Sequence, residues 1–294
     1  REVLASRALR TTVSAHGFEF TPEALNEVVD DPAVRRVYAF PHFASRVERN
    51  SKVLPTPSAF NGDLYFPEAD KDPRLVVRAA SGKPSKGLKD FVDIAPQCSE
   101  PRFVLAMGRI NTAKEYVDEL IAYNREHGDP VEIRLNLPTE EVAALIRKAG
   151  IYLHTYGDQE PFGMPISIAE AMASGCYTMV RNLPGAAEYV GSSGFLYDHV
   201  EQVANQIRNS LSWANELWEN VYRRTSDWAY SRYADIDVLR PMFDDWCSVP
   251  EFRKGVSVFD HFAGDPRIED LIRFHIEKGE ATRLRERGNT QLAH

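Results

Sequence analysis

The chain has 294 residues, 43% hydrophobic and 27% charged, which suits one sizeable globular domain or two smaller ones. A net charge of -8 and a pI near 5.6 argue against binding nucleic acid by phosphate neutralisation, and less strongly against docking on anionic membranes. No apolar run approaches the roughly 20 residues of a membrane span, and no secretory signal opens the chain, so a cytoplasmic location is expected.

In chain order, short apolar runs alternate with longer amphipathic stretches, the pattern of an α/β protein with a mostly parallel sheet. "RRVYAF" (35–40) and "SKVLPTP" (51–57) predict short strands after a leading segment, 1–49. "PRLVVRAA" (73–80) predicts a clearer strand, followed by the turn "SGKPSKG" and a helix from about Gly87. "RFVLAMG" (102–108) predicts a buried strand, and "AKEYVDELIAYNREHG" (113–128) an amphipathic helix ending at glycine. "VEIRLNL", "TEEVAALIRKAG" and "IYLHTYG" then read as strand, helix and strand, with Thr139 capping that helix and Gly150 ending it. "CYTMVRN" and "GFLYD" supply two more strands, which closes a Rossmann-like domain at about residue 200. Residues 201–249 read as helices carrying Trp213, Trp218, Trp228 and Trp246, an aromatic stripe of the kind that usually packs inward. The tail, 250–294, reads as a charged helix fraying into a disordered end. Cys98, Cys176 and Cys247 lack metal-ligand spacing and read as structural thiols of a reducing compartment.

An open parallel sheet binds its ligand beyond the carboxyl ends of its strands, so the strand-to-helix loops carry the functional signal. Three stand out. "SGKPSKG" places Ser81, Gly82, Lys83 and Lys86 at a helix start, a phosphate-binding composition that, taken alone, is better explained as a solvated turn. "GDQEPFGMP" (157–165) combines a glycine turn with Glu160, and the following helix carries Glu170 about two and a half turns from that loop. Free amides there suit a diphosphate, and the two carboxylates suit sugar hydroxyls. The simpler account is a capping glutamate plus a glutamate paired to a core arginine, and it weakens because both acids flank one glycine turn. "RNLPGAAE" (181–188) adds Gly185 and Glu188 on the same expected edge. His154, in the strand before Glu160, fits a ligand-facing position and an ordinary packed one equally well.

The segments "KDPRLVVRAASGKPSKG", "VEIRLNLPTEEVAALIRKAGIYLHTYGDQEPFG", "IAEAMASG" and "LPGAAEYVGSSGFLYD" occur in the order found in the carboxyl-terminal domain of retaining GT-B glycosyltransferases. The chain resembles family GT4 most, over about residues 35–240 and most specifically over 151–198. The resemblance implies a Rossmann-like domain with a helical extension that binds a UDP-, GDP- or ADP-sugar as substrate, with no metal and no cofactor. It implies that Lys86 contacts phosphate and Glu160 the donor sugar, as the catalytic pair. Ser81, Gly82, Lys83, Phe162, Gly163, Met164 and Pro165 would complete the donor site, with Glu170 on the ribose.

Three departures accompany the resemblance. Nine residues separate Glu160 from Glu170, where the family usually has seven. Ser81 stands where an arginine commonly precedes the phosphate lysine, with Lys83 as a substitute lacking guanidinium geometry. Some forty residues precede the recognisable domain, where an acceptor domain would stand in full, so the leading segment reads as its remnant. His16 and His42 lie in that segment without a spacing that ties them to the donor sugar. The chain begins with Arg1 rather than Met, as a fragment would. The expected function is transfer of a sugar to an unknown acceptor. The alternatives are a donor-binding module that depends on a partner or a second copy, docked through the aromatic helices, and a sugar-nucleotide epimerase, which "EPFG" and "EAMASG" fit less well.

Overall fold

Strand-forming apolar runs and amphipathic helices alternate to build two parallel sheets in the computed structural model. It describes residues 11–15, 22–32, 34–44, 47, 51–108, 113–157, 164–234, 238, 240–242 and 244–245. The chain divides into two compact units, Arg1–Leu239 and Arg240–His294. The expected charged tail, Trp246, Cys247 and His16 lie outside the described residues.

The leading residues form β1 (Thr11–Ala15), α1 (Pro22–Asp30), β2 (Val34–Ala39), α2 (Pro41–Ala44), which holds His42, and β3 (Val53–Pro55). The three strands make a parallel sheet in the order β1-β2-β3. Leu25 and Val29, four residues apart on α1, put one helix face into the core.

The larger sheet follows as β4 (Asp72–Ala80), α3 (Leu88–Ile94), β5 (Arg102–Met107), α4 (Lys114–Glu126), β6 (Val131–Leu135) and α5 (Thr139–Lys148). It continues through β7 (Ala149–His154), α6 (Ile166–Ala173), β8 (Tyr177–Arg181), α7 (Ala186–Val190), β9 (Gly194–Tyr197), α8 (Val200–Leu211) and α9 (Asn215–Tyr233). Six strands run parallel in the order β6-β5-β4-β7-β8-β9. The chain winds outward from β4 to β6, returns beside β4 as β7, and winds the other way. The reversal point between β4 and β7 is where a doubly wound sheet opens a crevice. Leu75, Val77 and Tyr152 pack on one face with α5 and α6, and Val76, Ile151 and Leu153 on the other with α3, α4 and α8. Strands covered on both faces read as continuous apolar runs, which is why they were legible.

Two local expectations are corrected. Thr139 does not cap α5: Pro138 holds the cap position and Thr139 is already helical, with no side-chain cap bond. Gly150 does not end that helix, which runs directly into β7 at Ala149. Gly150 instead lies against β4, where a Cβ would meet Pro73 Cα at 2.5 Å and Asp72 O at 2.7 Å. By contrast Gly128, left-handed at φ 84°, does follow the end of α4.

α9 packs on α6 and returns the chain to residues 60–65. Phe60 N–H donates to Tyr233 O at 3.0 Å, and the Tyr230 hydroxyl donates to Tyr65 O at 3.0 Å. Trp218 is buried, and half-buried Trp213 and Trp228 each pack against one of the two cores. Cys98 and Cys176 are buried free thiols. No helix among the described residues is long and apolar enough to cross a membrane.

Candidate functional site

The crevice at the reversal point has a definite origin. The β4–β7 ladder ends at the pair Val77↔Tyr152, although β4 continues to Ala80 and β7 to His154. The strands part there, and the backbone of Ala79 loses its neighbour on the β7 side while keeping Ala106 of β5 on the other. The Tyr152 hydroxyl takes that place, donating to Ala79 O at 3.1 Å and lying 3.4 Å from Ala79 N as acceptor. Arg78, only 1% exposed, spans the split. One guanidinium nitrogen donates to Ala79 O at 2.9 Å and to Tyr152 Oη at 3.0 Å, the other to Thr155 O at 3.1 Å.

The first of the three expected loops is tied to the end of β7. A 3₁₀ turn at Pro84–Lys86 closes on Gly87, which is left-handed at φ 57°. A Cβ on Gly87 would meet Tyr156 N and C at 2.9 Å, so glycine is required both by conformation and by space. Gly157 N–H donates to Ser85 O at 2.9 Å and Thr155 Oγ1 to Lys86 O at 3.2 Å. Ala113 N–H donates to Gly82 O at 3.0 Å, which fixes the other end of the loop. Lys86 is half-buried with its ammonium 5.0 Å from the Tyr156 ring, whereas Lys83 is exposed and Ser81 half-buried.

In the second loop, Glu160, Phe162 and Gly163 lie outside the described residues. Met164 is buried and left-handed at φ 46°, a costly conformation for a side chain with a Cβ. Pro165 then caps α6 without a side-chain bond to the first-turn amides, the arrangement that leaves a helix N-terminus able to hold an anion. Because α6 begins at Ile166, Glu170 falls in its second turn; the expected separation of two and a half turns from the loop is corrected. Glu170 faces the Tyr65 hydroxyl, and burial pushes its pKa up to about 7 despite that neighbour. His154 is buried and stacked on Tyr156, with ring centroids 5.7 Å apart. Burial, then the charges of Arg78 and Lys86, hold its pKa well below the usual histidine range, so the ring is neutral.

The third loop joins the same edge. Gly185, at φ 91°, caps α7, and Glu188 is exposed. Arg181, at the end of β8, donates to Tyr156 O at 2.9 Å, while the Tyr189 hydroxyl of α7 donates to Pro165 O at 3.3 Å. The first and third loops therefore both contact the described residues of the second, at 155–157 and 165. Arg78, Arg181 and Tyr156 belong to this edge and were missed in the sequence. Their one signal was an arginine inside, and another ending, an apolar strand run. A cleft of about 530 Å³ lies instead along outer strand β6, among Arg102, Ile121, Asn124, Glu132 and Leu135, and takes in none of the three loops.

Lysine, two arginines, glycine-opened backbone and an uncapped helix start are groups suited to an anion, with a carboxyl group nearby. A mannosyltransferase of Xenopus laevis, "GDP-Man:Man(3)GlcNAc(2)-PP-Dol alpha-1,2-mannosyltransferase", is 30% identical over 173 residues. That match covers 56% of this chain and 34% of the relative, so the chain spans about a third of that protein's length. The fold matches HepE of Anabaena, solved with UDP and glucose, at a TM-score of 0.67 and 18% identity, over 81% of this chain and 71% of that one. A glycosyltransferase of Rickettsia africae matches at 0.67 and 13% identity, over 84% and 71% of the two chains. The sequence model of the glycosyl transferases group 1 matches residues 66–225, from the start of the larger sheet to the middle of α9 and so through all three loops. The chain belongs to the glycosyl transferases group 1 family.

Proposed function

We propose that the chain is the donor-binding part of a retaining, cytoplasmic glycosyltransferase that moves a sugar from a nucleotide-diphospho-sugar to an acceptor. The observation that carries this reading is the joining of the Lys86 loop to the stem of the Glu160 loop at the β4–β7 split. A diphosphate bridging the two loops would meet the Lys86 ammonium and the amides at the start of α6. Those groups stabilise the negative charge that grows on the diphosphate as the sugar–oxygen bond breaks. Glu160 would hold the donor sugar, and Glu170 would accept the ribose hydroxyls. The family membership and the UDP-bound relative of like fold support the same class of donor. The acceptor would be held partly by residues preceding the larger sheet.

Calorimetry with UDP, GDP and ADP, and with their sugar conjugates, tests the reading on the wild-type chain and two variants. One nucleotide is expected to bind, about tenfold more weakly after Lys86→Ala, the loss of one charge-assisted contact. Glu160→Ala is expected to weaken only the sugar conjugate. Equal affinity of wild type and Lys86→Ala for every nucleotide would remove the proposed phosphate site.

A further inference from the structure

Arg78 is the largest of the fully buried side chains among the described residues, and it is a cation. Its hydrogen-bond partners are all neutral: two backbone carbonyls and a tyrosine hydroxyl. No carboxylate pairs with it among the described residues, and its Nε–H has no acceptor. Burial of a charge without a counter-charge is costly, and a sheet interior would ordinarily carry an apolar residue at such a position. The cost is borne at the β4–β7 split, beside His154, which burial first and then the charges of Arg78 and Lys86 keep neutral.

We infer that Arg78 is a positioning residue of the donor site: it pins the stem of the Glu160 loop to the end of β4 and sets an uncompensated positive charge beneath the donor's diphosphate. This rests on the function proposed above. The pin is the bond to Thr155 O, the first residue past β7, made while the same guanidinium holds Ala79 O on β4. Only a planar fork spans the two carbonyls and Tyr152 at once; a lysine keeps the charge and loses the span. The bonds to Arg78 come from neutral dipoles, which leave its charge available to a dianion above it. Ser81 brings no charge to the loop and exposed Lys83 brings one that water screens, so Arg78 is the fully buried cation of this edge, with Lys86 and Arg181 half-buried.

The test compares a charged and an uncharged ligand on the wild-type chain, Arg78→Lys and Arg78→Gln. The probes are inorganic pyrophosphate and the nucleoside of whichever nucleotide binds the wild type. Arg78→Gln is expected to weaken pyrophosphate binding by about tenfold and leave the nucleoside unchanged. Arg78→Lys is expected to fall between, with faster amide exchange at residues 155–157. If Arg78→Gln does not fold, Arg78→Lys carries the same comparison, with Tyr152→Phe, which keeps the guanidinium, binding pyrophosphate more tightly than Arg78→Lys does. Equal weakening of both ligands, or of neither, would overturn the inference and leave Arg78 a purely structural group. A wild-type chain that binds neither nucleotide nor pyrophosphate would overturn the donor-site reading beneath it, and the inference with it.

Discussion

Strand β4 has a cation near each end, half-buried Lys71 and fully buried Arg78, and they are held in opposite ways. Lys71 precedes the strand, and its three N–H donors meet Arg147 O at 2.7 Å, Ser174 O at 2.9 Å and Cys176 Sγ at 3.8 Å. Those carbonyls close α5 and α6, so one ammonium sits at the negative ends of two helices. Burial lowers its pKa, while Cys176 and Glu68 act in the other direction. Around it the backbone is pressed together. Gly150 touches β4, and Gly175, at φ 82°, completes α6 with Cys176 N–H donating to Ala171 O at 2.9 Å and Gly175 N–H to Met172 O at 2.8 Å. The hydroxyls of Ser174 and Tyr222 have no partner among the described residues, a smaller cost than an unmet charge. Arg78, near the far end of the same strand, keeps a donor unmet and lies where β4 and β7 part. A sheet closes one edge by satisfying its charge and keeps the other receptive by leaving a charge unanswered.

The amino edge should therefore answer to stability alone. Lys71→Met strands two buried carbonyls at helix ends and is expected to cost about 3 kcal/mol in denaturant unfolding, with nucleotide affinity of the folded protein unchanged. Lost affinity at intact stability would break the contrast. A smaller effect separates the two edges with one chemical change. Gly150→Ala drives a methyl into Pro73 and should cost about 2 kcal/mol without touching affinity. Gly87→Ala meets the backbone of Tyr156 at φ 57° and should cost about 1–2 kcal/mol and weaken nucleotide binding as well. Calorimetry and unfolding on the same two proteins decide it.

The contrast also explains what the sequence could reveal. β4, β5, β7 and β8 were legible because strands covered on both faces must be apolar throughout, and α4 and α5 because one face of each is buried. β1, with the short polar run "TTVSA", carried no such pattern. Thr139 and Gly150 were misread for a tertiary reason: α5 enters β7 without a loop, and the glycine answers to Pro73 across the sheet. At the site, glycines and lysines after apolar strands announced the loops. Arg78 was silent, because an arginine in "LVVRAA" does not state whether it meets a carboxylate, water or nothing. The wider spacing of Glu160 and Glu170 was visible; the left-handed turn at Met164 beside Pro165 was not.

Glu170 gives the finest test, since it belongs to the receptive edge and is titratable near neutrality. Its pKa lies at about 7 against an ordinary 4.5, raised by burial and eased by Tyr65. Between those values the folded chain keeps a proton that the unfolded chain has released, so stability falls as pH rises through that window. Glu170→Gln removes the penalty. The variant is expected to match the wild type at pH 5 and to exceed it by about 1–2 kcal/mol at pH 8, read from denaturant midpoints. If the carboxylate holds the donor's ribose, the same variant should bind nucleotide more weakly at pH 8, trading affinity for stability. A variant less stable at both pH values, with affinity intact, would assign the carboxyl to the Tyr65 contact alone and move Glu170 to the structural side of the contrast.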